Sequence, residues 1–250
     1  ADAEDVVPPP VLIVSSKRGG ILLGAFEPAD RMVGFVYSLP GVKDGRLTQW
    51  SHMLGVAPSA RQTGIGLALK LAQRERARAL GIDLIEWTFD PLQAPNAHLN
   101  FSKLGIVVDE YDENLYGESS SPLHRGTPTD RFVAQWRLDA PHVLRRIAGG
   151  GLGLVRDAAV GGAPVVNPSR SEGRWLRPGP ADLTARERRL LAEIPSNFTE
   201  LQAADPAVAL DWRVSTRAVF RHYLARGYRV VDFFLSAEAG RGQYLLALKE

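Results

Sequence analysis

Residues 54–81, LGVAPSARQTGIGLALKLAQRERARALG, constrain this chain more than any other stretch. Leu54-Gly55-Val56 reads as the apolar end of a strand, which Pro58 stops. Arg61, Gly64 and Gly66 follow at i, i+3 and i+5. They run directly into a segment where Ile65, Ala68, Leu69, Ala72 and Ala79 recur at helical spacing. Gly81, just after Leu80, is placed for a left-handed C-terminal cap. The predicted order is strand, glycine loop, helix.

That order suits an anion. The first turn of a helix holds backbone N–H groups with no internal acceptor, and the macrodipole puts partial positive charge there. Glycines reach dihedrals that other residues resist and let a phosphate approach the backbone. Arg61 adds a full charge and a fork of donors. Two phosphate loops are excluded. No Gly-Lys dipeptide occurs, so there is no P-loop, and Gly64-Ile65-Gly66 is followed by Leu67-Ala68-Leu69, which breaks a G-x-G-x-x-G fingerprint.

The remaining pattern, Arg61-Gln62-Thr63-Gly64-Ile65-Gly66, resembles the [QR]-x-x-G-x-[GA] loop of the GNAT N-acetyltransferase superfamily at every defined position. A second likeness lies at residues 96–105, NAHLNFSKLG, which is similar to that family's fourth helix and its K-L-G ending. The resemblance covers about residues 20–138.

Composition narrows the alternatives. A length of 250 residues allows one large domain or two small ones, and 45% hydrophobic with 23% charged residues is a globular balance. The net charge of +2 asks for no nucleic acid, and no apolar run approaches a membrane span. With no cysteine, thiol catalysis and Cys-ligated zinc are excluded, and the five His (52, 98, 124, 142, 222) lack metal-ligand spacing, so no metal is expected. The start, ADAEDVVPPP, has no signal-peptide pattern, which predicts a cytoplasmic protein and makes the Asn197-Phe198-Thr199 sequon a chance match.

Along the chain, residues 20–26 and 32–39 are apolar, β-branched runs joined by a Pro-containing turn, which predicts a hairpin. A second turn, PGVKDGR, leads to a strand over residues 47–56 that ends at the glycine loop. The helix of about residues 64–80, a strand at 82–89, a short helix at 96–104 and strands at 106–111 and 131–138 follow. The order βββαβαββ is that of the resembled family from its second strand onward. It predicts an α/β (α+β) fold: a mixed, mostly antiparallel sheet flanked by helices. A complete domain of that family has a first strand and one or two helices before this point. Only about 20 residues precede the first strand here, so the resemblance implies a fragment or an element supplied elsewhere.

Residues 139–190 hold eight Gly, five Pro and nine Arg against five acidic residues, a connecting composition with a solvated basic surface. Thr184-Ala185-Arg186-Glu187 has the form of a capping box and predicts a helix after it. Residues 206–250 read as helix, strand, turn, strand, a unit like FSKLG-IVVDEY…RFVAQW upstream, either a degenerate half-repeat or a chance recurrence. As a repeat, this half either completes the sheet or builds a homodimer interface. The expected division is an acyl-CoA-binding domain at 1–138, a connector at 139–190 and an accessory helix and hairpin at 191–250.

The resemblance implies transfer of an acetyl group from acetyl-CoA to an amine of a small molecule or peptide, by direct attack without an acyl-enzyme. It assigns the pyrophosphate cradle to the backbone of Gln62, Thr63, Gly64, Ile65, Gly66 and Leu67, with Arg61 alongside. It implies that the strand bearing Leu54, Gly55 and Val56 splays from its neighbour at a bulge, which Gly55 suits, and pairs with the pantetheine arm. Asn96 takes the place of a side chain that bonds the pantetheine. Phe101 occupies the place of a cofactor-facing Tyr acid and has no proton to give, so Tyr111 or Tyr116 substitutes, or the thiolate leaves unaided, since a free thiol titrates near 8.5. His52 and Glu86 are the candidate bases; an imidazole suits proton transfer near neutrality. The acidic stretch with Asp109, Glu110, Asp112, Glu113 and Glu118 either draws a cationic acceptor or is a solvated loop. The rival reading is a non-catalytic acyl-CoA-binding or regulatory module.

Overall fold

The structure, a computed structural model, describes residues 6–117, 127–149 and 160–249. Helix α1 (Pro9–Lys17) opens on prolines, whose fixed φ suits a first helical turn. Strands β1 (Ile21–Phe26), β2 (Met32–Lys43) and β3 (Arg46–Val56) form an antiparallel meander. The turn from β2 to β3 is tighter than PGVKDGR predicts. Pro40 and Gly41 stay in β2, and only Asp44 and Gly45, at φ 51° and 73°, reverse the chain between paired Lys43 and Arg46.

Helix α2 (Ile65–Ala79) and strand β4 (Leu84–Phe89) come next. A one-turn α3 (Ala94–Ala97) continues as a π-helical segment, His98–Leu104, that ends on left-handed Gly105. Then come β5 (Val107–Asp112), β6 (Arg131–Arg137), α4 (Pro141–Ala148), a β7 (Ser169–Glu172) and β8 (Trp175–Pro178) hairpin, and β9 (Arg189–Pro195). Helices α5 (Phe198–Ala204) and α6 (Pro206–Ala225) and strands β10 (Tyr228–Ser236) and β11 (Arg241–Leu248) complete the chain. This is the expected mixed α/β arrangement, mostly antiparallel and flanked by helices.

The helix predicted after Thr184 is absent from the described residues; β9 stands there instead. The capping-box side chains have other partners. Thr184 N–H and Oγ1 both donate to Asp182 Oδ1, at 2.8 and 2.7 Å, and Glu187 accepts from the Arg186 N–H. The apolar run that follows is buried on both faces: β9 ends its sheet beside β11, and an isolated bridge from Val165 to Leu191 lies on its other side.

Contacts divide the chain into two compact units. The first comprises Ala1–Trp87 and Gln135–Leu144. Its strand order is β1-β2-β3-β4, with β3 and β4 parallel. Helix α2 packs on this sheet so closely at Gly34 that a Cβ there would meet Ile65 and Leu69 methyl carbons at 3.1 and 3.2 Å. Its buried stripe is not the alanine stripe read from sequence. Ala68, Ala72 and Ala79 are exposed, and Leu69, Lys70, Gln73, Arg74 and Ala77 face inward.

The second unit comprises Thr88–Ala134 and Arg145–Glu250, with strand order β6-β5-β10-β11-β9. The C-terminal hairpin thus joins β5 in one sheet, through the Val230–Val108 register. An aromatic core of Phe89, Phe101, Phe132, Phe220, Phe233 and Tyr244 fills this unit, largely in edge-to-face pairs. No helix of the described residues is long and apolar enough to cross a membrane.

Candidate functional site

The glycine loop is built as a row of free donors. After β3, Ala57 N–H still donates to Val33 O at 2.8 Å, and a short 3-10 turn, Pro58–Ala60, follows. Thr63 Oγ1 closes back on Ala60 O at 2.7 Å. Gln62 and Gly64 then take left-handed backbones, at φ 64° and 89°. The first helical bond is Ala68 N–H to Gly64 O at 3.0 Å. Among the described residues no carbonyl or side chain accepts from the N–H groups of residues 62–67. Six consecutive donors at the positive end of a 15-residue helix make an anion cradle. For Gln62 the left-handed backbone costs about 1–2 kcal/mol, the kind of strain that persists where a loop is shaped for a ligand. A Cβ on Gly64 would meet nothing within 4 Å, so the space in front of it is open. Arg61 is exposed, its Nε 3.4 Å from Val56 O.

Beside this loop the sheet of the first unit opens. The parallel β3–β4 ladder has two register pairs, Gln49–Ile85 and Trp50–Glu86, and none beyond them. Residues 51–56, among them Leu54, Gly55 and Val56, therefore border an unpaired wedge on the β4 side of their strand. The predicted bulge exists at a different residue and on the other side of β3. In the β2–β3 ladder Tyr37 pairs with Met53 and Ser38 with Ser51, which leaves His52 as the extra residue. Gly55 stays in register opposite Phe35. Its lack of a side chain serves packing, because a Cβ there would lie 2.7 Å from the Phe35 ring.

His52 is exposed on this bulge, its ring edge-on to Tyr37 at 6.2 Å. The Tyr37 hydroxyl is buried and has no hydrogen-bond partner among the described residues. Glu86 is buried rather than on a solvent face, and Lys43 Nζ holds its Oε1 at 2.5 Å. A carboxylate so tied has first to release the ammonium before it can take a proton.

Sequence reasoning passed over the most unusual group in this unit. Lys70 is fully buried, with Nζ 2.9 Å from Ser51 Oγ, 3.2 Å from Gln73 Oε1 and 3.6 Å from the Trp87 ring centroid. Burial pulls its pKa down to about 7. The available signal was the i, i+4, i+8 series Leu69, Gln73, Ala77, which places Lys70 on the inward face.

In the second unit, Asn96 is exposed on α3, while Phe101 is wholly buried against Phe89 and Tyr244, with ring centroids 6.2 and 5.7 Å away. Tyr111 donates its hydroxyl proton to Asp130 Oδ2 at 2.6 Å. Burial, and then that bond, push its pKa far above the phenol value. Tyr116 Oη lies 2.9 Å from Thr88 Oγ1. Two residues of the acidic stretch are paired with arginines. Glu113 pairs with Arg217 and Arg221 at 2.7 and 2.6 Å, and Asp109 lies 3.6 Å from Arg229. Glu118 lies outside the described residues.

No protein-family model matches the chain, and no curated protein does. Solved structures do. A GNAT family acetyltransferase from Elizabethkingia anophelis with acetyl-CoA bound is 16% identical over 55% of this chain and 94% of its own, with a TM-score of 0.41. Aminoglycoside 6′-acetyltransferase type Ii is 20% identical over 51% and 75%, with a TM-score of 0.41. Naa20 of Chaetomium thermophilum, in complex with a bisubstrate analogue, is 15% identical over 54% and 72%, with a TM-score of 0.39.

Proposed function

We propose that this chain is an acyl-CoA-dependent N-acetyltransferase that moves an acetyl group from acetyl-CoA to the amine of a small molecule or peptide. The observation that carries the reading is the row of six unpaired N–H groups at residues 62–67, opening onto the β3–β4 wedge. In this reading residues 62–67 hold the pyrophosphate, Arg61 adds charge at its rim, and the backbone of residues 54–56 lies along the pantetheine arm. His52, exposed on its bulge, takes the proton of the incoming ammonium. Functionally, residues 1–138 form the acyl-CoA-binding domain, 139–190 the connector and 191–250 an accessory part. Phe101 contributes packing and Asn96 an exposed amide to the first of these.

A second reading has an observation of its own. Phe101 lies in the core and the Tyr111 proton is committed to Asp130, so neither side chain offers a free proton to a departing thiolate. That favours a module which binds acyl-CoA without turning it over. Calorimetric titration of acetyl-CoA into wild type and Gly64→Asp tests the cradle. Asp tolerates a left-handed backbone but brings negative charge to the row of donors, so binding is expected in wild type and lost in the variant. Equal affinity in both proteins removes the loop from the site. A screen of amines for CoA release then separates enzyme from module.

A further inference from the structure

The acyl-CoA reading leaves Lys70 without a role. Its amine has hydrogen bonds but no counter-charge: among the described residues Glu75 pairs with Arg74 and Arg78, and Glu86 with Lys43. Its place in the fold is specific. Ser51 and Trp87, the two strand residues that Nζ touches besides Gln73 of its own helix, are the first beyond the last β3–β4 register pair, so the amine stands where that ladder ends, at the closed end of the wedge. Few charges surround it. On its own helix, Arg74 turns to the Leu138 carbonyl at 2.8 Å and toward Asp139. β3 presents Ser51, β4 presents Trp87, and Trp136 of β6 stands edge-on behind that indole at 6.1 Å. The exposed His52 and the paired Glu86 are the titratable neighbours on the two strands.

We propose that Lys70 is a self-acetylation site, the internal acceptor for an acyl thioester seated in the wedge. The inference rests on the acyl-CoA reading. The Nζ lone pair attacks the thioester carbonyl, the C–S bond breaks with its electron pair on sulfur, and the proton lost from nitrogen neutralises the thiolate. The products are N-acetyl-lysine and free CoA. The attack needs a neutral amine, and burial without a counter-charge supplies one near neutrality.

The test is incubation of the purified protein with acetyl-CoA, followed by intact mass measurement and peptide mapping, beside calorimetric titration of the same sample. We expect one acetyl group on Lys70, at a rate independent of protein concentration and about tenfold faster at pH 8 than at pH 6. Labelling is expected to be suppressed by excess CoA and lost in Gly64→Asp. Binding of acetyl-CoA with no label on Lys70 overturns self-acetylation and leaves the cofactor reading standing. So does labelling that excess CoA fails to suppress, which is chemical acetylation from solution. An absence of acetyl-CoA binding in wild type overturns both. Mapping and CoA competition use the wild-type chain, so neither depends on how a variant folds.

Discussion

Lys70 also marks the native state through its proton. Unfolded, it titrates at the ordinary 10.5; folded, at about 7. Between those values the unfolded chain holds a proton that the native one lacks, so this group's contribution to stability improves as pH rises through the window and is poorest at or below its lower edge. Lys70→Met replaces a buried, uncompensated amine with a flexible apolar chain and is expected to stabilise the protein most at neutral pH. Urea unfolding at several pH values checks this: the advantage of the variant is expected to shrink with rising pH, and parallel curves would exclude the assignment. Sequence reasoning missed Lys70 because a lysine in an amphipathic helix is ordinarily solvated. Only the choice of inward stripe, which alanines leave ambiguous, decides its side. His52 was legible as a candidate but not as the bulged residue, since a bulge is a property of two strands and its sequence signal lies in neither alone.

At the scale of elements, the order from β1 to β6 was readable because each unit carried its own punctuation: Pro58 after β3, Gly81 after α2, Asp90-Pro91 after β4. β9 was not. Thr184 and Glu187 satisfy a helix-start pattern, yet the buried alternating surface offered by β11, paired with β9 from Arg241 to Ala247, overrides it. Gly55 shows the reverse case, a glycine expected to form a bulge that instead makes room for the Phe35 ring. Gly55→Leu is expected to displace the Phe35 ring and cost about 1–3 kcal/mol, read as a lowered melting temperature. Retained stability would mean that the ring yields freely.

Across the whole molecule, the second unit depends on charges removed from water. Arg213 forks onto Asp90 with two 2.8 Å bonds, Arg146 meets Asp232 at 2.7 Å, and Asp130 accepts from Arg217, Tyr111 and the Asn114 N–H. Burial alone would raise the Asp130 pKa, but those bonds outweigh it and hold the carboxyl below its ordinary 3.8. Its stabilising contribution is therefore complete above that value and lost as pH falls through the lower, folded one. Asp130→Asn is expected to cost about 3–5 kcal/mol at neutral pH and to make acid unfolding less steep, checked by denaturant melts from neutrality downward. An unchanged acid limb would place the acid sensitivity elsewhere. None of these pairs was legible in advance. Their partners lie as far as 123 residues apart, and no local pattern announces which arginine meets which aspartate.

The stacking of Lys70 on Trp87 has an optical consequence. Indole emission shifts with any charge held near the ring, and a cation 3.6 Å from the centroid is about as close as one comes. Deprotonation of that amine, its acylation, or a ligand sliding into the strand gap would each recolour one tryptophan of five. The protein thus carries an intrinsic fluorophore at the place where its chemistry is proposed, readable in a cuvette without a label.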